Sequence, residues 1–253
     1  MIILEGKGLT KKYRTQKGEL TALDAVDLRL EKGEILGIAG ESGSGKTTLL
    51  KLISSLEAPT KGELFLNGKK LSMHRTKEDY RAMQMIFQDA TASFHPRRSI
   101  ADSIRESVRS LCGKNRDGAG QKEADMDRLC AMVGLKPELA ERLPKNLSGG
   151  QCQRFAIARA MAVQPSILLC DEVTSALDVS SQAQILALIE TICRDNNMSA
   201  IFVSHDLAVI SSLCDRVVIL REGRVEEEGA VRQIIDSPQK EYTQRLLGSV
   251  LEL

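Results

Sequence analysis

The sequence has no apolar stretch long enough to cross a membrane, no Cys-x-x-Cys pair and almost no net charge, and each absence removes a class of function. Thirty-five Lys and Arg residues face 34 Asp and Glu residues, for a formal net charge of +1. The chain therefore lacks the basic footprint of a nucleic-acid binder. The 6 cysteines are scattered, at 112, 130, 152, 170, 193 and 214. That scatter favours free thiols in a reducing cytoplasm over a disulfide framework or a metal site. The opening "MIIL" is too short for a signal peptide and lacks its charged flank. There is no internal repeat and no low-complexity tract. What survives is a cytosolic protein, or one that meets a membrane only through partners. Its 253 residues, 42% hydrophobic and 27% charged, suffice for one large globular domain.

What is present reads as an α/β protein. Val26, Leu28 and Leu30 alternate with Asp27, Arg29 and Glu31, the pattern of a half-buried strand. "GELFLNGK" (62–69) predicts another strand, ending in an Asn-Gly turn. "EILGIAG", "SILLCDE" and "SAIFVSH" are short continuous apolar runs, as in buried parallel strands. Ile185, Leu188, Ile189 and Ile192 repeat at helical spacing, as do Ile100, Ile104, Val108 and Leu111, then Met126, Leu129 and Val133. The glycine-bearing "CGKNRDGAG" between the latter two sets predicts a surface loop. "RVVILREGRVEEEG" predicts a last hairpin turning at Glu222-Gly223. The expected architecture is a mostly parallel core with flanking helices, an antiparallel β subdomain near the N-terminus and an inserted helical subdomain. As one domain over 1–253, the core takes about 1–95 and 160–253, and the helical part about 96–160.

"GESGSGKTT" (40–48) satisfies G-x-x-x-x-G-K-[ST] between an apolar strand and the helix "TTLLKLISSL". Gly40, Glu41, Ser42, Gly43, Ser44 and Gly45 form a loop whose backbone N–H groups can wrap phosphates, with Thr48 following. Lys46 would neutralise the β- and γ-phosphates of a nucleotide, and Thr47 would coordinate Mg²⁺. Asp171, ending "SILLCD", can hold the metal, and Glu172 beside it can polarise an attacking water. Two acids at a strand end also serve as solvated groups or helix caps; the preceding phosphate loop favours the metal reading. His205, just past "IFVS", lies at the edge where open α/β sheets bind ligands. Gln88 is a neutral amide able to touch both metal and water. "LSGGQ" (147–151) raises a further question, because its glycine pair opens a helix and so offers a second turn suited to an anion. A serine-capped helix start reads the same residues without a ligand.

In this order, these motifs resemble the nucleotide-binding subunits of ATP-binding-cassette (ABC) transporters, over nearly the whole chain. "LSGGQ" is similar to the signature of that family. The resemblance implies an ATPase in which Gln88 is the lid glutamine tying nucleotide state to a membrane partner and His205 the switch histidine at the γ-phosphate. It implies that Tyr13 in "KKYR" stacks on adenine, although a tyrosine in a polar N-terminal strand needs no ligand. "SALD" (175–178), with Asp178, resembles the segment that crosses the dimer interface. Ser148, Gly149, Gly150 and Gln151 would then reach an ATP held by the phosphate loop of a second, head-to-tail copy. Each nucleotide is sandwiched, so that binding closes the dimer and hydrolysis reopens it. The two phosphate-facing turns of one chain thus serve two different nucleotides.

"FQDATASFHPR", "VTSALDVSSQAQIL", "SHDLAVI" and "EYTQRLL" resemble the oligopeptide, dipeptide and nickel importer branch. That resemblance implies two transmembrane permease subunits, a homo- or heteromeric ATPase pair and an extracytoplasmic solute-binding protein, with no nucleic-acid partner. It implies a peripheral position on the cytoplasmic face of the inner membrane and import of a peptide, nickel or a metal chelate. Ala90 stands where the branch usually has proline, and Cys152 where a polar or basic residue is usual. The end at Leu253, without a cysteine-bearing extension, favours the shorter nickel- or metallophore-type members. An exporter or lipoprotein-release ATPase stays open, since the cassette does not encode direction. A soluble ABC ATPase acting on nucleic acid or ribosomes fits less well, and a P-loop kinase leaves "LSGGQ" and "SALD" unexplained.

Overall fold

A computed structural model describes residues 1–16, 18–112 and 125–251. The chain runs through strands β1 (Ile2–Thr15), β2 (Gly18–Glu31) and β3 (Ile35–Ala39), then helix α1 (Lys46–Ile53). Strands β4 (Lys61–Leu66) and β5 (Lys69–Lys70), helix α2 (Lys77–Ala82) and strand β6 (Met83–Ile86) follow. Helices α3 (Ile100–Cys112), α4 (Met126–Met132) and α5 (Gly149–Met161) lead to β7 (Ile167–Asp171) and α6 (Val179–Asp195). The last elements are β8 (Ser199–Val203), α7 (Leu207–Leu213), β9 (Arg216–Arg221), β10 (Arg224–Ala230), α8 (Val231–Asp236) and α9 (Glu241–Leu251). The residues form two compact units: Met1–Arg75 with Cys193–Leu253, and Thr76–Ile192.

In the first unit, β2, β1, β4 and β5 make an antiparallel sheet in that order. Val26, Leu28 and Leu30 point into the core while residues 27, 29 and 31 stay exposed, as the period of two requires. The pairing of β1 with β2 slips between Gly6 and Leu9 and between Leu9 and Lys11. There Ala25 takes φ 52°, and the Thr10 hydroxyl accepts its N–H at 3.1 Å. In the same unit β3 pairs in parallel with both β8 and β9. Every residue of β3 and β8 is buried, which explains their unbroken apolar runs. Strands β9 and β10 form the expected hairpin, with Glu222 at φ 47° and Gly223 at φ 78°. Two positive φ values in a two-residue turn match the right-handed twist of the flanking strands.

The second unit holds the parallel pair β6–β7, in register from Met83↔Ile167 to Ile86↔Cys170. Strand β6 is not among the strands expected, because "MQMI" has neither alternation nor a continuous apolar run. Around the pair lie α2 to α6. Ile100, Ile104 and Val108 bury one face of α3, and Leu129 is buried on α4 with Val133 just beyond it. The expected loop at 112–120 lies, after Cys112, outside the described residues.

One half-buried arginine organises the segment that follows β6. Arg159 on α5 donates to the Ser93 carbonyl at 2.6 Å and to its hydroxyl at 3.1 Å. Its guanidinium also lies 4.4 Å from the centre of the Phe94 ring. Burial lowers its pKa from the usual arginine value, yet the group stays cationic at neutral pH. Replacing Arg159 by alanine should destabilise the fold by about 2 kcal/mol, because two acceptors lose a charged donor. Arg159→Lys should recover only part, since an ammonium cannot reproduce the planar fork. Thermal unfolding of the two variants checks both expectations.

Candidate nucleotide site

The phosphate loop sits in the first unit, between the fully buried β3 and the start of α1. Gly40 and Gly45 take φ 147° and 107°, and neither position has space for a side chain. A β-carbon on Gly40 would stand 2.2 Å from the Leu220 carbonyl oxygen, and one on Gly45 2.7 Å from that of Ala22. Gly45 is the N-cap of α1 and contributes no side-chain cap, and no acidic residue occupies the first turn. A helix N-terminus in that condition favours an anion.

Lys46 is only 5% exposed. Its ammonium donates to the carbonyls of Gly40 at 2.7 Å and Glu41 at 2.8 Å, which centres the positive charge within the loop. The Ser44 hydroxyl is buried and has no hydrogen-bond partner among the described residues. An orphaned buried hydroxyl is costly unless a ligand engages it. Backbone glycines, a buried cation and an unused hydroxyl are together the donor set that a polyphosphate requires, so the residues present fit a nucleotide.

Tyr13, on β1 of the same unit, is half-exposed. Its hydroxyl donates to Glu57 Oε2 at 2.6 Å and also meets the side chain of Thr48 on α1. The Lys11 ammonium stands 5.1 Å from the Tyr13 ring centre, 3.1 Å from Glu57 and 2.8 Å from the Ala58 carbonyl. The ring is thereby fixed to helix α1 and to the loop that follows it. His205 lies two residues past the end of β8 and is exposed, with Asp206 behind it capping α7.

The second unit carries the other expected residues. Asp171 ends β7 and is 7% exposed. Glu172 has φ 47°, which for a residue with a β-carbon costs ~1–2 kcal/mol and concentrates at functional sites. The Gln88 amide donates to Glu172 Oε2 at 3.4 Å and to the Ser175 hydroxyl at 3.0 Å. Ser175 donates in turn to the Glu172 carbonyl, from its hydroxyl at 3.0 Å and its backbone N–H at 3.1 Å. Gln88 and Glu172 are therefore neighbours across 84 residues of sequence.

Ser148 caps α5 through a reciprocal capping box. Its hydroxyl accepts the Gln151 N–H at 3.2 Å, and the Gln151 side chain accepts the Ser148 N–H at 3.0 Å. Ser148 and Gly149 are exposed. A β-carbon on Gly149 would touch Leu177, and one on Gly150 would touch the Ser181 hydroxyl at 3.8 Å. That hydroxyl donates to Asp178 at 2.7 Å, and the Ser181 N–H donates to the other carboxylate oxygen at 2.9 Å. These bonds from Ser181 hold the Asp178 carboxyl below its usual value. "LSGGQ" and "SALD" are thus in contact within this unit. Cys152 is fully buried, with its thiol 3.5 Å from the Pro144 carbonyl, and burial raises its pKa. It packs as a small hydrophobe facing inward, and Ala90 is buried too.

A family model described as "ABC transporter" matches residues 23–175. This chain belongs to the ABC transporter family. The oligopeptide transport ATP-binding protein OppF of Lactococcus lactis is 40% identical over 232 residues, which is 90% of this chain and 72% of that protein. OppF of Escherichia coli is 41% identical over 238 residues, 91% of this chain and 70% of that protein. A dimeric structure of the ATP-binding cassette MJ0796, in a post-hydrolysis state with ADP and Pi, superposes with a TM-score of 0.80 at 30% identity. It covers 91% of this chain and 99% of that one. The protein is therefore an ABC-type ATPase, and its α/β architecture is that of an ABC cassette.

Two residues that organise their surroundings had no signal in the sequence. Glu57 is a lone acid in a loop, and Arg159 a single cation on a helix. Glu57 is nonetheless the hub of the Tyr13 cluster. Its carboxyl is held below the usual value, first by the hydrogen bond from Tyr13 and then by Lys11. A depressed folded-state pKa contributes stability that is present above the unfolded value of about 4.3 and is lost as pH falls through the folded value. Wild-type stability should accordingly decline below about pH 4.3 with a component missing in Glu57→Gln. Chemical denaturation of the two proteins across pH 3 to 7 measures the difference.

Proposed function

We propose that this ABC ATPase powers import of a small solute, a peptide in the first instance, from the cytoplasmic face of the membrane. The observation that carries the reading is 40–41% identity, over nine-tenths of the chain, to two oligopeptide transport ATP-binding proteins. Among the described residues no helix is long and apolar enough to cross a membrane, so passage of the solute falls to partners. Those partners are two transmembrane permease subunits, with an extracytoplasmic binding protein that selects the solute. Residues 1–253 act as one ATPase domain, with about 96–160 as its helical subdomain.

In this reading the phosphate loop, Gly40 to Thr48, binds the nucleotide phosphates, Lys46 neutralises them and Tyr13 stacks on the base. Thr47, Gln88 and Asp171 each offer a hard oxygen donor of the kind Mg²⁺ prefers. When bound, the ion supplies charge neutralisation at the β- and γ-phosphates. Glu172 orients and polarises the attacking water, with its carboxylate steadied by Gln88 and its strained backbone by Ser175. His205 contacts the γ-phosphate. Ser148, Gly149, Gly150, Gln151 and Asp178 serve the nucleotide of a second ATPase copy in a head-to-tail dimer. The dimeric form of the related MJ0796 cassette supports that assignment.

Glu172→Gln should retain ATP binding while hydrolysis falls by about a hundredfold or more, the usual loss of a general base. More than about a tenth of wild-type turnover would remove Glu172 from that role. The same trapped variant, tagged in its host and extracted with Mg-ATP, tests the transport reading. Two polytopic membrane proteins should co-purify, and the accompanying binding protein can then be titrated with peptides, nickel and metal chelates. Recovery from the soluble fraction with ribosomal proteins or nucleic acid would sink it. Ser148→Arg should leave ATP binding to the isolated chain intact and abolish ATP-dependent dimerisation in sedimentation experiments. Loss of binding by the monomer would count against the trans assignment.

A further inference from the structure

"EYTQRLL" is the one motif of the chain to which the ATPase reading gives no task, and its tyrosine touches the phosphate loop. Tyr242 lies in the first turn of α9 and is 5% exposed. Its hydroxyl oxygen accepts the backbone N–H of Glu41 at 3.2 Å, across 201 residues of sequence. The ring is not free to wander. The Arg221 guanidinium stacks 5.0 Å from its centre. The Glu227 carboxylate on β10 accepts the N–H groups of Gln239 at 2.8 Å and Lys240 at 3.2 Å, which fixes the entry to α9.

The amide that Tyr242 holds belongs to the peptide unit joining Gly40 to Glu41. The opposite end of that unit is the Gly40 carbonyl, which accepts the Lys46 ammonium at 2.7 Å. One peptide plane is therefore clamped at both ends, by the phenol at N–H and by the lysine at C=O. Such a clamp has a purpose here. Gly40 sits at φ 147°, and a glycine offers little steric resistance to rotation of the peptide that follows it. Rotation would swing the carbonyl away from Lys46 and remove one of the two loop carbonyls that set the position of the ammonium. A hydrogen bond at the N–H end also polarises the unit and strengthens its carbonyl as an acceptor.

We propose that Tyr242 is a positioning residue of the nucleotide site, which sets the Lys46 ammonium by locking the Gly40–Glu41 peptide plane. Nucleotide affinity is then coupled to the seating of the C-terminal helix α9. The inference rests on the reading of Lys46 as a phosphate ligand.

Tyr242→Phe tests it, because the ring, its burial and the Arg221 contact all remain while the acceptor is lost. In the apo protein, hydrogen exchange at the Glu41 amide should accelerate roughly three- to tenfold, the factor for one hydrogen bond, while α9 amides keep their protection. ATP binding by calorimetry should weaken by roughly the same factor. In a Lys46→Ala background, titrated with millimolar ATP, Tyr242→Phe should cost nothing further, since coupled residues are not additive. An equal loss in both backgrounds, or unchanged affinity and exchange in Tyr242→Phe, overturns the proposal. Faster exchange throughout α9 also overturns it, by making Tyr242 a packing residue only. ATP affinity unchanged by Lys46→Ala alone would instead remove the underlying reading, and this one with it.

Discussion

A buried ammonium is the constraint on which the first unit depends. Lys46 has 5% of its surface in solvent, and a cation so enclosed must be surrounded by oxygen. Two such oxygens are carbonyls of its own loop, whose backbone takes positive φ at Gly40 and Gly45. Those conformations bring the loop within contact of the Leu220 and Ala22 carbonyls, so β9 and β2 must be in place beside it. The turn of the last hairpin completes the arrangement. Gly223 donates to the Ser44 carbonyl at 3.0 Å and accepts the Asp24 N–H at 2.8 Å. Residues 22–24, 40–46 and 220–223 thus form one backbone-to-backbone contact. A side chain on either glycine would break it.

The second unit is organised around strain rather than around a charge. A glutamate at φ 47° is held there only when its surroundings over-determine it. Ser175 does this with two bonds to the Glu172 carbonyl, and Gln88 steadies the carboxylate. Strand β7 stops at Asp171, and the left-handed residue turns the chain sharply at that point. Two adjacent acids are consequently aimed by different means. Asp171 takes its direction from the strand and is buried, whereas Glu172 takes its direction from the turn and is half-exposed. General-base chemistry needs a carboxylate that meets water, and metal ligation benefits from one that does not move.

Much of this was legible in the sequence because it is periodic or punctuated. The continuous apolar runs of β3, β7 and β8, the alternation in β2 and the Glu222-Gly223 turn all express local rules, and all stand where those rules put them. Strand β6 was not legible, since four residues carry too little pattern and its parallel partner β7 lies 84 residues away. The phosphate loop could be read because its glycines, lysine and threonine must be contiguous to wrap a phosphate. Glu57, Arg159 and Tyr242 could not be read, because each acts through contacts to residues distant in sequence. No spacing in the chain records that Tyr13 meets Glu57 or that Ser93 meets Arg159. Motif and resemblance together named the site residues, while their partners appear only in three dimensions.

The two anion-suited turns differ in a way that fits different tasks. Helix α1 begins at a glycine that contributes no cap, beside a buried cation and an orphaned serine hydroxyl. A phosphate arriving there displaces no side-chain cap and meets a cation already placed in the loop. Helix α5 begins at a serine whose hydroxyl and N–H are both engaged with Gln151. The Ser148 and Gln151 N–H groups reach a phosphate only by giving up those bonds, each worth about 1 kcal/mol net. The first turn thus offers a phosphate a buried cation and an orphaned hydroxyl that the second lacks. Under the dimer proposal this difference is functionally apt. The nucleotide stays with its own loop, and the contact from the opposing copy is the one that forms and breaks in each cycle.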